Sequence, residues 1–502
     1  MRERKLAKNT ISSLIFQVIT IVSGFILPRL ILKQYGSSVN GLVNSIAQFL
    51  SIISFLELGV GAVVQSTLYK PLAENDNVQV SKILASAEKF FKNLARILII
   101  YIIILVFCYP YLGNQKYSFL YTATLIGAMC ISYFAQYYFG VVDRLLLTAD
   151  QKGYIQYNAQ TITLILNTVI SISLIKCGSS IQLLKLMSSL IYLFRPIYLR
   201  IYINRHYVIN RKISYDEEPI KQKWNGVAQH VCSVVLDSTD NIVLTIFATL
   251  SDVSIYSVYY LVVSGVKQLF LSLTNGIQSL IGELWAKQEL DNLKKYFEWI
   301  EWSIHTGVVF IFGCTLFLIV PFVQVYTEGI TDANYVVPSF AILLTVANAM
   351  HCLRLPYNIM ILAAGHYKQT QCNYIIATIM NIVLSIMMVQ IWGLIGVAIG
   401  TICAMTFQTM WMMYYDSKNF IKWPLVKSIK QFSIDIFTII IGFIVCNQIH
   451  MKNIDIILWV LLAFSTIIIF GCIIVAINMI FYREKIVRLL KVIKKRFKLD
   501  YL

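Results

Sequence analysis

Apolar residues recur along this chain in runs of about twenty or more, parted by short polar gaps, from residue 9 to residue 482. A bilayer core about 30 Å thick takes roughly 20 apolar residues of helix, and hydrocarbon tolerates no unpaired backbone, so each run predicts a membrane-spanning helix. Fourteen runs qualify: 9–33, 40–69, 93–112, 117–142, 154–176, 181–202, 224–250, 254–283, 303–327, 334–363, 369–391, 393–416, 431–449 and 456–481. Two stretches between them follow another pattern. Val80, Ile83, Leu84 and Ala87, and again Leu290, Leu293, Phe297 and Ile300, fall at helical spacing and predict amphipathic cytoplasmic helices after spans 2 and 8. The expected fold is an all-α polytopic membrane protein.

Composition agrees. Of 502 residues, 58% are hydrophobic and 13% charged, about half the charge of a soluble protein. The basic start from Arg2 to Lys8 precedes an apolar stretch too long for a signal peptide and lacking a small-residue cleavage site, so a retained first helix is expected. Ten cysteines, among them Cys130, Cys232, Cys314, Cys403 and Cys472, lie singly with no C-x-x-C spacing. They predict buried free thiols rather than a metal cage or disulfide framework.

A net charge of +17 would raise the question of nucleic acid in a soluble protein. Here the distribution answers otherwise. With the N-terminus inside, about 33 Lys and Arg fall on the inner side, about 4 outside (Lys33, Lys116, Lys176, Lys452) and about 5 within spans. This asymmetry predicts a multi-pass protein of a cell membrane with both termini cytoplasmic, and no nucleic-acid partner. The tail 482–502 carries Ile486, Leu489, Leu490, Ile493 and Phe497 at helical spacing among Arg488, Lys491, Lys494 and Lys495. It predicts a helix along the anionic lipids of the inner leaflet, or else a solvated stop-transfer flank.

The chain also repeats itself at a separation of about 214 residues. Asn167-Thr168-Val169-Ile170-Ser171 in span 5 answers Asn381-Ile382-Val383-Leu384-Ser385 in span 11, and the two amphipathic stretches stand in nearly the same register. Six spans per unit is an even number, so both units enter the membrane from one side, related by a pseudo-two-fold along the membrane normal. The expected organisation is a six-helix lobe at 1–202, a cytoplasmic connector at 203–223, a second six-helix lobe at 224–416, two further spans at 431–481 and the basic tail at 482–502.

Charge at bilayer depth is costly and marks function or pairing. The cations are Arg29, Lys185, Arg195, Lys267 and Arg354, and the anions Glu57, Asp237 and Asp240. Asp237 and Asp240 share a helix face, as do His351, Arg354 and Asn358. The competing reading is structural: ion pairs between helices, for example Asp237 with Lys267, and snorkelling of Arg29 and Arg195 to headgroups. Pro28, Pro196, Pro321 and Pro356 predict kinks.

The segment Tyr35-Gly36-Ser37-Ser38-Val39-Asn40-Gly41-Leu42, running into Ser54-Phe55-Leu56-Glu57-Leu58-Gly59-Val60-Gly61 and Leu68-Tyr69-Lys70-Pro71-Leu72-Ala73, resembles the start of bacterial polysaccharide exporters of the multidrug, oligosaccharidyl-lipid and polysaccharide superfamily. The resemblance implies a flippase, not an enzyme, moving a polyprenyl-pyrophosphate-linked oligosaccharide from inner to outer leaflet for capsule, exopolysaccharide or cell-wall glycan assembly. It further implies alternating access of two lobes around a cationic cavity, polysaccharide assembly proteins as partners, and basic residues that receive the pyrophosphate. By location those are Arg29, Arg195, Lys267 and Arg354, with Glu57, Asp237 and Asp240 as candidates for coupling to a proton or sodium ion. No cofactor is expected. Tyr137, Tyr138, Tyr256, Tyr259 and Tyr260 are candidates for sugar contact or for packing. Two alternatives stand beside this: a cation-coupled multidrug exporter of the same fold, and a membrane glycan polymerase, for which no outer loop is long enough and no H-E-x-x-H, G-x-S-x-G or phosphate loop is present.

Overall fold

The computed structural model describes residues 2–52, 54–112, 117–215, 217–220, 227–420, 423–448 and 455–496. Lys116, Lys452, Phe497, part of the connector, and the side chains of Glu57, Leu490 and Ile493 lie outside the described residues. Every long element is a helix: α1 (Arg2–Ser51), α2 (Ser54–Glu74), α3 (Asn77–Cys108), α4 (Phe119–Ala135), α5 (Val141–Ala149), α6 (Gly153–Lys176), α7 (Ile181–His206), α8 (Val227–Phe247), α9 (Leu250–Ala286), α10 (Leu290–Tyr326), α11 (Pro338–Leu353), α12 (Leu355–Ala363), α13 (Tyr367–Trp392), α14 (Leu394–Asn419), α15 (Leu425–Cys446), α16 (Ile456–Phe481) and α17 (Arg483–Arg496). This is a multi-pass membrane architecture.

Among the described residues, twelve segments are long and apolar enough to cross a bilayer. The first, Lys8–Ser51, has 44 residues. At 1.5 Å per residue it would run about 66 Å, twice a hydrocarbon core, were it straight. It breaks at Gly36 (φ 81, ψ 174), a conformation open essentially to glycine, and so supplies span 1 and the beginning of span 2, which α2 continues. The limb after the break is capped by Asp332, whose carboxylate accepts from the Ser37 backbone N–H at 2.7 Å and the Ser37 hydroxyl at 2.6 Å. Helix α8 occupies the seventh expected span, is 21 residues long, carries Asp237 and Asp240, and is not among the twelve.

Two local expectations are corrected. The amphipathic stretches are not separate helices but the first turns of α3 and α10, which continue directly into their spans. Pro356 follows a division between two helices, and Pro28, Pro196 and Pro321 stand inside α1, α7 and α10. Cys232 and Cys314 are buried, but Cys403 and Cys472 are exposed; all ten cysteines are free. An apolar run cannot distinguish a lipid-facing helix surface from an interior one. The same inversion appears along α16, where Ile457, Leu461, Phe464 and Ile468 form an exposed apolar stripe while Thr466 and Asn478 are buried.

Two compact units divide the chain: Met1–Ser257 with Ile330–Ala333, and Val258–Gly329 with Asn334–Leu502. In the first, one core gathers Leu68, Ile83, Phe91, Leu146 and Ile203, and another Leu42, Ile46, Leu50, Tyr109 and Leu125. Helix α8 packs within this unit, against α1 and α2. Span 4 is α4 and α5 joined by a π-turn, Gln136–Gly140, where Gly140 faces Pro196 of α7.

In the second unit, α13 and α14 approach closely at Gly396 and Gly400, where an added Cβ would stand 2.1 Å from the Met388 carbonyl oxygen and 2.4 Å from Ser385 Oγ. Small residues four apart permit such backbone approach in membranes. The last two spans, α15 and α16, pack on α10, with Phe470 against both Gly313 and Gly442. Trp302 Nε1 donates to Asn478 Oδ1 at 2.7 Å, and His305 Nδ1 lies 2.6 Å from Asp435 Oδ2, adding polar ties to the same contact. The tail helix α17 starts on α10 through Lys485, which lies 3.3 Å from the Glu298 carboxylate.

The repeated asparagines occupy matching roles. Asn167 of α6 is buried and donates to the Tyr192 hydroxyl of α7 at 3.0 Å; Asn381 of α13 is buried and donates to Thr401 Oγ1 of α14 at 3.1 Å.

Candidate functional site

The second unit holds two of the four cations proposed for the pyrophosphate, Lys267 and Arg354. Pro356 has no N–H to offer and its ring crowds the carbonyl four residues back, so the helix gives way one residue after α11, and Arg354 stands at the break. Its guanidinium approaches His351 at 3.3 Å and lies 6.0 Å from the Tyr374 ring centroid. Tyr374 in turn donates its hydroxyl to Asn358 Oδ1 at 2.6 Å. From α9, Lys267 Nζ reaches the Tyr260 hydroxyl at 3.5 Å. Lys267 is 4% exposed and Arg354 6%, so neither presents its charge to the outer surface of the protein. Buried cations beside tyrosine hydroxyls, an imidazole and an amide suit an oxygen-rich anion.

The other predicted residues are placed elsewhere. Arg29 is half-buried on α1. Arg195 of α7 donates through Nε to Thr163 Oγ1 at 2.6 Å, with its guanidinium carbon 4.1 Å from the Tyr192 ring centroid. These contacts tie it to α6 within the first unit. On α8, Asp240 is buried and accepts the Tyr256 hydroxyl at 3.0 Å, whereas Asp237 is exposed. The sugar-contact candidates Tyr137, Tyr256 and Tyr259 are packed residues, the last donating to the Tyr335 carbonyl at 2.7 Å.

Several buried charges were not anticipated. On the first unit, Glu88 and Asp143 receive Arg200 and Arg211 together: Arg200 lies 3.0 Å from Glu88 and 2.9 Å from Asp143, and Arg211 pairs with Glu88 and sits 2.6 Å from Asp143. The connector is thereby fastened to α3, α5 and α7, assisted by Asn210 N–H to Ser81 Oγ at 3.1 Å and by Ser86 to Glu218. Burial alone would lower the Arg211 guanidinium; Asp143 and Glu88 outweigh it and hold it above its ordinary range. In the second unit, the buried Glu301 accepts from Tyr357 at 2.7 Å, Ser428 at 2.5 Å and Trp423 Nε1 at 3.1 Å. The apolar runs stop at 142 and resume at 303, so hydropathy leaves Asp143 and Glu301 just outside the spans, and limits three residues wider include both.

Solved structures share this whole architecture. A structure described as the lipid II flippase MurJ in an inward closed conformation matches 95% of this chain and 99% of its own, with a TM-score of 0.73 at 15% identity. An inward-facing MATE family multidrug resistance transporter of the MOP superfamily matches 82% of this chain and 96% of its own, TM-score 0.65, 12% identity. The fold is the one these solved structures share. A MOP superfamily transporter from Pyrococcus furiosus, whose description reports a binding pocket of reversed polarity, matches 82% of this chain and 94% of its own at a TM-score of 0.61 and 14% identity. No family model and no curated protein matches the sequence. The neighbours are described as flippases and transporters rather than enzymes. At such identities the likeness shows the fold and leaves the cargo to be argued from side chains.

Proposed function

We propose that this chain is a flippase that carries a polyprenyl-pyrophosphate-linked oligosaccharide from the inner to the outer leaflet of a bacterial cytoplasmic membrane by alternating access, both termini being cytoplasmic. The observation that carries the reading is the burial of two cations in the second unit, Arg354 beside His351 and Lys267 beside the Tyr260 hydroxyl. A diphosphate cannot enter hydrocarbon bare, and two cations with hydroxyl and amide partners replace its hydration. The likeness to MurJ over nearly the full length of both chains supports a lipid-linked cargo.

The test is transport of a fluorescent polyprenyl-pyrophosphate oligosaccharide in proteoliposomes. K267A and R354A are expected to cut the flipping rate by about tenfold or more while the protein inserts normally, each removing a charge-assisted contact. Wild-type rates in both would exclude these residues.

A second reading, cation-coupled drug export, draws on Asp240, a buried carboxylate on α8 held by Tyr256. Under that reading D240N stops export of a cationic dye and K267A does not. Asp237, Asp240 and Glu57 are also our candidates for coupling flipping to a proton or sodium ion, in which case collapsing the ion gradient slows the flippase.

A further inference from the structure

The first unit contains a cavity with arginine and glutamine side chains in its wall, apart from the cargo site proposed at Lys267 and Arg354. It measures about 320 Å³ and lies among α4, the π-turn, α5, α6 and α7, lined by Gln136, Arg144, Gln156, Gln160, Tyr192 and Arg195 among others. That volume falls in the range of small-molecule pockets, roughly 300–1,000 Å³. A second cavity of about 290 Å³ shares Ser132, Tyr133 and Tyr192 with it and adds Lys185, Asn167 and Ser188. The two adjoin through these shared residues inside the first unit, a tract built of segments expected to cross the bilayer.

The composition of that tract is specific. Arg144 and Arg195 both line the larger cavity, and no carboxylate does. Arg195 is held by Thr163 and by the Tyr192 ring, so its guanidinium has a set orientation. Gln160 Oε1 in the larger cavity and Asn167 Oδ1 in the smaller are buried carbonyl oxygens with no donor in reach among the described residues. A buried acceptor without a donor is costly, and a hydroxyl would satisfy it. The π-turn lets Gln136 and Gly140 stand where a regular α-helix would present other residues, a common device at binding sites.

The geometry points to an anion pocket within the first unit, in which Arg144 and Arg195 hold a phosphate group and Gln160, Asn167 and their neighbours receive hydroxyls attached to it. Guanidinium pairs suit phosphate because their forked N–H groups match its oxygens two at a time. Two sources offer the chemistry: the headgroup of phosphatidylglycerol and a sugar phosphate. The pocket is formed by first-unit residues alone and makes no use of Lys267 or Arg354.

The test uses the full chain in nanodiscs of phosphatidylcholine. One arm titrates radiolabelled glucose 1-phosphate; the other measures by native mass spectrometry how many phosphatidylglycerol molecules are retained when that lipid replaces a tenth of the phosphatidylcholine. At least one probe is expected to bind the wild type, and the arm in which it does identifies the source. R144Q/R195Q is expected to weaken that binding by about tenfold or more, R195K to fall between, since lysine keeps the charge and loses the fork, and K267A/R354A to leave it unchanged. R195K, which retains the charge, guards against misfolding of the double variant, and thermal melting of each is compared with wild type. Failure of both probes to bind, equal binding by R144Q/R195Q, or loss in K267A/R354A alone overturns the pocket. None of these results bears on the flipping assay with K267A and R354A, so the two proposals fail separately.

Discussion

Asn40 donates its side-chain amide to Ser254 Oγ at 2.7 Å, and the two residues stand 214 positions apart, the period of the internal repeat. Ser38 and Ser251 are 3.5 Å apart, and Asn44 donates to Ser257 at 3.2 Å, each pair separated by 213. Ser37-Ser38-Val39-Asn40 and Ser251-Asp252-Val253-Ser254 thus meet in space through paired polar side chains. A double-mutant cycle of N40A and S254A should give a coupling of about 1 kcal/mol in thermal or chemical unfolding in detergent, typical of a buried interhelical hydrogen bond in a membrane protein. Additive single effects would show that the contact contributes nothing.

The break at Gly36 depends on two conditions. Its φ of 81 with ψ 174 is closed to other residues, and a Cβ there would lie 2.8 Å from Asp332 Oδ2. G36A is expected to cost roughly 1–3 kcal/mol and D332A about 1–2 kcal/mol, the latter through loss of the Ser37 cap. Because the first acts through the backbone and the second through the cap, G36A should lower the melting temperature even in the D332A background. A melting temperature unmoved by G36A refutes the strain argument.

Arg211 tests whether the connector is held. Glu88 and Asp143 are buried, and R211A removes one of the two arginines that neutralise both. The expected loss is about 3 kcal/mol, tempered by Arg200 and Lys92, which remain. Limited proteolysis is the direct readout: cleavage within 203–223 should accelerate in R211A and leave the rest of the pattern unchanged. E88Q/D143N/R211M, which removes the charges as a set, should recover part of the resistance.

Phe470 lies against two glycines on different helices. F470A should cost about 2 kcal/mol, less than the 3–5 of a soluble core, because lipid replaces part of the transfer term and mainly packing is lost. G442L should be worse, since even a Cβ would fall 2.4 Å from the Phe470 ring. Both are read by thermal melting in detergent. F470A/G442L should melt above G442L alone, as the leucine then enters the space the ring vacates.

Hydropathy along the chain was sufficient for the helical membrane fold and the approximate spans, because a bilayer selects on a local property: an apolar run long enough to cross it. The helix interruptions at Gly36 and Pro356 were half legible, since glycine and proline announce themselves, but which prolines actually divide a helix depends on the neighbours that receive the freed groups. Which charges share a neighbourhood was decided in three dimensions. Arg354 meets His351 in the second unit; Arg195 carries the same charge in the first yet is tied to Thr163 and Tyr192. Nothing local distinguishes these arginines, because the energy of a buried cation is set by the groups packed around it, and those come from helices far away in the chain.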